Sequence, residues 1–329
     1  MPEGHTIHRA AQDQRPLVVG KRLRVTAPDG RYTDEAKHLD KRTITAIEPV
    51  GKHLFYRFDA KPPNVLHVHL ALFGKFRTFD GDPPEPKGAV RYRLAADDAT
   101  LDLHGCRTAD LIDDEEVEAI RDRLGPDPLD PKADVERVRR RIGKSSAPIA
   151  GLLMDQSVVS GLGNIFRAEI LYRQRVPTRA AGKELTDDQF NRIWVDAVAL
   201  LKVGVKQGRI ITIPKSFAKE RYGKTFSKLK NRERFLIYKQ PTCPFTGAAV
   251  ETYELAGRTV YHVPSWQTGV SEGVITTLKH RRGAGRGGVL GVYRGVPARN
   301  PSELRRPASA AGRRAGGPAR RWRRRRPDR

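Results

Sequence analysis

Residues 149–164 read Ile149-Ala150-Gly151-Leu152-Leu153-Met154-Asp155-Gln156-Ser157-Val158-Val159-Ser160-Gly161-Leu162-Gly163-Asn164. Ile149, Leu152, Leu153 and Gln156 recur at helical spacing, and so, roughly, do Ile165, Ala168, Ile170 and Tyr172. The Gly161-Leu162-Gly163-Asn164 break separates the two runs, so a helical domain is predicted here. Upstream it is bounded by Gly125-Pro126-Asp127-Pro128, a cluster of turn residues. Before that boundary, from Arg22 to Leu103, the periodicity is that of short strands: Leu23–Thr26, Arg42–Ile47, His53–Phe58, Val65–Leu70, Lys75–Thr78 and Tyr92–Ala95. Gly51, Gly74 and the Asp80–Lys87 stretch supply turns, and strands at this spacing predict a sandwich or barrel. A helix over about Thr6–Asp13 comes first, with Ile7 and Ala10–Ala11 on one face. Downstream, Leu185–Val203 predicts a helix opened by Thr186-Asp187-Asp188. Thr242–Gln267 then returns to strands, with a turn at Ala256-Gly257-Arg258. Past about Thr268 periodicity gives way to Gly, Ala, Pro and Arg, the composition of a disordered tail.

The 329 residues suffice for two domains, each with its own core. No run approaches the roughly eighteen consecutive apolar residues of a membrane span. The N-terminus lacks a secretory apolar region, and two cysteines, Cys106 and Cys243, give no disulfide framework. A reducing cytoplasm is the expected compartment. Net charge is +24 and the isoelectric point near 10.4, which predicts a polyanion as partner, nucleic acid before anionic membrane. From Lys279 to Arg329 there are seventeen Lys/Arg against Glu303 and Asp328, a net +15. That leaves +9 of the +24 for residues 1–278, so the body is basic without its tail. The tail reads either as a basic arm raising nonspecific affinity or as sequence from a shifted reading frame.

The chain opens Met1-Pro2-Glu3-Gly4-His5-Thr6. Methionine before proline is ordinarily removed, which would expose a secondary amine beside a carboxylate. Such an amine can attack an electrophilic carbon and form an iminium adduct. The same dipeptide also suits a simple helix start. Lys52, after Gly51, reads from its own position as a solvated turn residue. Asn164 can cap the helix that follows it. Leu72 and Phe73, before Gly74, read as core or as an apolar wedge for a vacated base stack. His67 and His69 receive no catalytic role, because strand histidines are mostly structural.

Several separated segments share one pattern. These are Pro2-Glu3-Gly4, Gly51-Lys52-His53-Leu54, His69-Leu70-Ala71-Leu72-Phe73-Gly74, Gly125-Pro126-Asp127-Pro128-Leu129-Asp130, and Leu152-Leu153-Met154-Asp155-Gln156 with Gly161-Leu162-Gly163-Asn164. In order and at compatible spacing over about residues 1–267, they resemble the formamidopyrimidine-DNA glycosylase/endonuclease VIII family. The Pro-Glu-Gly-His-Thr opening is most similar to its endonuclease VIII branch in actinobacteria.

The resemblance implies an α+β multidomain fold: an N-terminal helix plus a two-layer β-sandwich, a helix–two-turns–helix domain and a C-terminal β-hairpin. The corresponding divisions are 1–124, 125–240 and 241–268, with a disordered basic tail over 269–329. It implies a bifunctional DNA glycosylase/AP lyase of base-excision repair that excises oxidised pyrimidines through a Schiff base and cuts the strand by β,δ-elimination. Pro2 would be the nucleophile and Glu3 the general acid–base, with Lys52, Asn164 and Arg258 on phosphates and Phe73 and Leu72 filling the stack. An oxidised-purine (8-oxoguanine/formamidopyrimidine) glycosylase and a catalytically silent damaged-DNA-binding protein are the competing readings. The partner would be double-stranded DNA carrying a damaged base or abasic site, bound by a monomer associated with the bacterial nucleoid.

The hairpin departs from the family. Two Cys-x-x-Cys pairs would hold zinc, but here the first reads Cys243-Pro244-Phe245-Thr246 and the second Val263-Pro264-Ser265-Trp266. Only Cys243 of four ligands remains, so no metal and no cofactor are expected. The expected structure is a zincless finger packed through Val263 and Trp266.

Overall fold

The computed structural model describes residues 2–81 and 83–269. The tail expectation, including the arm over 279–329, lies outside the described residues. The chain opens with α1 (Gly4–Val18), followed by β1 (Arg24–Thr26), α2 (Thr33–Leu39), β2 (Ile44–Val50), β3 (His53–Phe58), β4 (Val65–His69) and β5 (Lys75–Asp80). Next come β6 (Val90–Ala95), β7 (Ala99–His104), β8 (Thr108–Ile112) and α3 (Asp114–Arg123). The helical part contains α4 (Val135–Gly143), α5 (Ile149–Leu152), α6 (Asn164–Arg173), α7 (Asp187–Gln207) and α8 (Lys215–Tyr222). A hairpin of β9 (Glu251–Leu255) and β10 (Arg258–His262) follows.

Two antiparallel four-stranded sheets, ordered β1-β6-β7-β5 and β2-β3-β4-β8, form the N-terminal sandwich. Their inner faces follow from alternation: Leu54, Tyr56, Leu66 and Val68 of one sheet meet Val25, Tyr92, Leu94, Leu101 and Leu103 of the other. The α1 residues Ile7, Ala11 and Val18 belong to the same core. Phe55, on the outer face, packs with Val117 and Ile120 under α3.

The strands lie where the sequence placed them, with ends displaced by a few residues. The sequence reading placed no element at β7, β8, α2, α3, α4 or α8. In β7 the buried residues alternate between the apolar Leu101 and Leu103 and the polar Thr100, Asp102 and His104. Arg93 neutralises Asp102 through two hydrogen bonds of 2.7 and 2.9 Å. The Thr100-Leu101-Asp102-Leu103-His104 alternation is itself a strand pattern, and the structure adds that both of its faces are buried. The first helix runs past Asp13 through Pro16 to Val18. Proline removes one donor near the helix end, and tertiary packing of Val18 outweighs that loss.

In the helical part, α6 is enclosed on all sides. The Glu169 carboxylate accepts hydrogen bonds from Leu236 N, Ile237 N, Tyr238 N and Thr212 Oγ1 at 2.6–2.8 Å. Arg173 forms a two-pronged pair with Asp196 of α7 at 2.7 and 2.8 Å. These contacts fasten residues 210–238 and α7 onto α6. The 21-residue α7 has Thr186 as N-cap in a capping box with Gln189 and ends at Gly208 in the left-handed region.

Gly125 joins the two parts at close quarters, donating to Gln156 O at 2.8 Å. A Cβ there would meet the Val158 carbonyl carbon at 2.3 Å and Val159 N at 2.6 Å, all backbone. Gly125→Ala is therefore expected to destabilise the protein by about 1–3 kcal/mol or more, read as a lowered urea midpoint.

Candidate active site

The start of the chain is stitched to the 153–164 loop. Gly4 N donates to Gly161 O at 2.8 Å. Glu3, 0% exposed, accepts from Gly163 N at 2.8 Å and Ile165 N at 3.0 Å. Glu3 thus occupies the N-terminus of α6, where orphan backbone donors and the helix dipole favour an anion. Asn164 does not cap that helix. The N-cap is Gly163, with no side-chain cap of its own. The carboxylate arriving from the other end of the sequence has taken the donors a local cap would use. A Cβ on Gly163 would come 2.4 Å from Glu3 Cδ, so only glycine admits the carboxylate.

Asn164 instead faces the hairpin, with Nδ2 donating to Thr259 O at 3.1 Å. Arg167, 1% exposed, donates to Asn164 Oδ1 and, at 2.9 Å, to Thr259 O. Arg258 opens β10 next to this contact, exposed to solvent.

Lys52 is partly buried. Its Nζ donates to Leu162 O at 2.5 Å, one residue from the backbone that holds Glu3. Gln156 fixes the same loop, donating to Leu162 O at 3.0 Å and accepting from Gly161 N at 3.1 Å. The turn carrying Lys52 is held by Asp127, whose Oδ2 accepts from Gly51 N and His8 Nε2, both at 2.7 Å. Asp127 Oδ1 accepts from Leu129 N at 2.8 Å. Gly51 has φ +57, and a Cβ there would reach Ser160 Cβ at 2.7 Å. A solvated turn lysine is ruled out by this packing.

Pro2, Glu3, Lys52, Asn164, Arg167 and Arg258 line one cavity of about 900 Å3, together with Leu72 and Phe73. Phe73 is 84% exposed and Leu72 46%, so neither is core. Ala71, at φ +54, turns the chain so that both project from the β4–β5 loop. Arg167, Asp127 and Gln156 received no role from the sequence. Their signals were faint: Arg167 lies three residues after Asn164 on the same helix face, and Asp127 sits between two prolines.

Burial raises the Glu3 carboxyl above its ordinary value, against the opposing pull of Lys52 and the backbone donors. Burial lowers the Lys52 ammonium, Glu3 raises it, and the Arg258 charge lowers it further. The cavity therefore combines a carboxyl inclined to hold its proton with a group of cations and Pro2. That set suits acid–base chemistry on a polyanion.

The family models of the formamidopyrimidine-DNA glycosylase N-terminal domain and the formamidopyrimidine-DNA glycosylase H2TH domain match residues 1–111 and 124–215. Endonuclease 8 1 of Mycobacterium tuberculosis (strain ATCC 25618 / H37Rv) is 39% identical over 274 residues, covering 82% of this chain and 100% of that protein. The chain belongs to the formamidopyrimidine-DNA glycosylase/endonuclease 8 family. It is a family of base-excision-repair DNA glycosylases with AP lyase activity. Formamidopyrimidine-DNA glycosylase of Streptococcus pneumoniae (strain ATCC BAA-255 / R6) is 27% identical over 281 residues, covering 81% and 99%. The fold matches the complex between the Lactococcus lactis Fpg and abasic-site DNA with a TM-score of 0.65, at 23% identity over 81% of this chain and 99% of that one.

Where the family pattern would place zinc ligands, the hairpin holds a different arrangement. Cys243 is buried, with Sγ 2.9 Å from Tyr172 Oη. Val263 is 0% exposed, and Trp266 stacks on Tyr172 and Phe245 at 5.9 and 5.8 Å. Trp266 Nε1 donates to Tyr172 O at 3.1 Å, and Arg175 lies over the indole at 4.6 Å. One thiol among aromatic rings does not fit a tetrahedral metal.

The raised Glu3 carboxyl has a stability consequence. Between its unfolded value near 4.5 and its higher folded value, the unfolded chain has lost the proton that the folded chain keeps, so stability falls as pH rises. The stability of Glu3→Gln minus that of the unaltered protein is expected to become more positive from about pH 4 to pH 7. Urea unfolding of both proteins across that range measures the trend.

Proposed function

We propose that this chain excises oxidised pyrimidines from double-stranded DNA through a Schiff base on Pro2 and then cuts the strand by β,δ-elimination. The observation that carries the reading is Pro2 on the cavity wall, one residue from a fully buried carboxyl and ringed by Lys52, Arg167 and Arg258. The higher identity to Endonuclease 8 1 supports the endonuclease VIII branch.

The damaged nucleotide must leave the duplex to be reached. Phe73 and Leu72 project where an apolar wedge would replace it. The unprotonated Pro2 nitrogen bonds to C1′, the base departs with the electrons of the glycosidic bond, and the Pro2 N–H proton passes to the departing base. Glu3 delivers its proton to the ring oxygen, the ring opens, and an iminium forms between Pro2 and C1′. The iminium acidifies the C2′ hydrogens. Loss of one expels the 3′ phosphate, and a second elimination expels the 5′ phosphate. Lys52, Asn164 and Arg258 hold the flanking phosphates. Met1, which must be removed first, lies outside the described residues.

Borohydride is expected to trap a covalent adduct between the protein and abasic-site DNA. Absence of the adduct would leave only a damaged-DNA-binding protein. Replacing Pro2 or Glu3 should abolish excision while DNA affinity stays within about threefold, since phosphate contacts dominate affinity. Excision rates over a lesion panel decide the substrate: preference for 8-oxoguanine over dihydrouracil or thymine glycol would overturn the pyrimidine assignment.

The hairpin, in the same proposal, works without zinc. Chelators should leave the melting temperature and lyase rate unchanged, whereas a structural zinc site would unfold. Trp266→Ala should cost about 3–5 kcal/mol, because it empties the aromatic stack.

A further inference from the structure

The start of the chain lines two separate concavities. Pro2, Glu3 and Ile7 belong to the cavity of the candidate site. His8, Gln12 and Arg15, at i, i+4 and i+7 on one face of α1, line an open groove of about 860 Å3. The two have no lining residue in common. Across the groove from α1 stands α7, contributing Lys202, Val205 and Lys206. Arg9 joins the two helices, its Nη1 donating to Val205 O and Lys206 O at 3.2 Å.

Four permanent cations line this groove, Arg9, Arg15, Lys202 and Lys206, and no carboxylate does. Two acidic groups reach its residues: Asp13 pairs with Arg9 at 2.5 Å, and Asp127 accepts from His8 Nε2 at 2.7 Å. Arg15 is engaged with Ile47 O. Lys202 and Lys206 are different. Both are exposed, and neither has a hydrogen bond or ion pair among the described residues. They stand one turn apart on α7, a spacing at which like charges repel, and an anion between them relieves that repulsion. The rest of the lining is apolar: Pro49, Leu129 and Val205 are partly exposed and Pro131 fully so. Phosphates gain nothing from such surface, whereas aliphatic side chains do.

We propose that the groove between α1 and α7 docks an acidic segment of another protein. Carboxylates of that segment meet Lys202 and Lys206, and its aliphatic side chains cover Leu129, Val205 and the two prolines. Charge complementarity sets the sign of the partner, and the apolar lining favours a peptide over DNA. Because the groove takes no residue from the cavity of Pro2, the partner can be held while DNA is engaged. It also lies close to the support of Lys52: the Asp127 oxygen that accepts from His8 accepts from Gly51 N as well, at 2.7 Å. The proposal is independent of the Pro2 chemistry.

The test is fluorescence anisotropy on the full chain with a short fluorescein-labelled peptide in which aspartate and leucine alternate. An aspartate–serine peptide of the same charge is the comparison. The leucine peptide is expected to bind more tightly than the serine one, and both more weakly as salt screens the lysines. Lys202→Glu combined with Lys206→Glu should weaken the leucine peptide by about tenfold or more, because like charges then face it. The same double variant should keep its melting temperature, its borohydride trapping on abasic DNA and, within about threefold, its affinity for duplex DNA. Lys202→Gln with Lys206→Gln should give an intermediate loss of peptide. No binding of the leucine peptide overturns the proposal. So does binding that the double substitution leaves unchanged, as attraction to the arginines of residues 279–329 would give. Equal binding of the two peptides removes the apolar contact and overturns it as well. A duplex affinity that falls as far as the peptide affinity would make the groove a nucleic-acid surface instead.

Discussion

A carboxylate with no exposure to water must find donors within the protein, and Glu3 finds them at the N-terminus of α6. This one requirement joins the first residues of the chain to its middle. Once Glu3 is anchored on Gly163 N and Ile165 N, Pro2 has a fixed place on the cavity wall, and the 153–164 loop cannot drift from α1. A second buried carboxylate, Asp127, makes the same kind of junction, holding the Gly51 turn that carries Lys52. Both use acceptor-rich groups to satisfy backbone N–H donors where two parts of the molecule meet. The machinery of the site and the glue between its two halves are partly the same atoms.

The cations are arranged around that anion. Lys52 bonds to Leu162 O, Arg167 holds Asn164 and Thr259 O, and Arg258 stands exposed at the start of β10. Burial works against both charged forms in the Glu3–Lys52 pair, while each charge supports the other. Such a pair can pass through a protonated carboxyl without losing its geometry, because the backbone donors, rather than the lysine alone, fix the side chain.

The hairpin is held to the helical part by side-chain packing: Trp266, Tyr172 and Phe245 stack, Arg175 covers the indole, and Arg167 ties β10 to α6 through Thr259 O. Aromatic packing spreads the stabilisation over a large buried area rather than a few short bonds.

Much of the fold was legible because it rests on local rules. The alternation of His53–Phe58 and Val65–Leu70, the Thr186 cap and the Ala256-Gly257 turn all follow from neighbours in the chain. β7 carries a legible alternation, Thr100-Leu101-Asp102-Leu103-His104, but nothing local announces that its polar face is buried too, with Asp102 paired to Arg93. In the site, the order of Pro2, Glu3, Lys52, Asn164 and Arg258 along the sequence named the candidates. The sequence misread Asn164 as a cap, because nothing near it announces that Glu3, 161 residues earlier, takes those donors. Nor could it show that Phe73 points out rather than in, or that His5 Nδ1 is buried with no hydrogen-bond partner among the described residues. By itself the sequence determined which residue types are available and where chain geometry must bend. Only the tertiary structure decided which donor meets which acceptor, since burial and hydrogen bonding are properties of atoms brought together from distant positions.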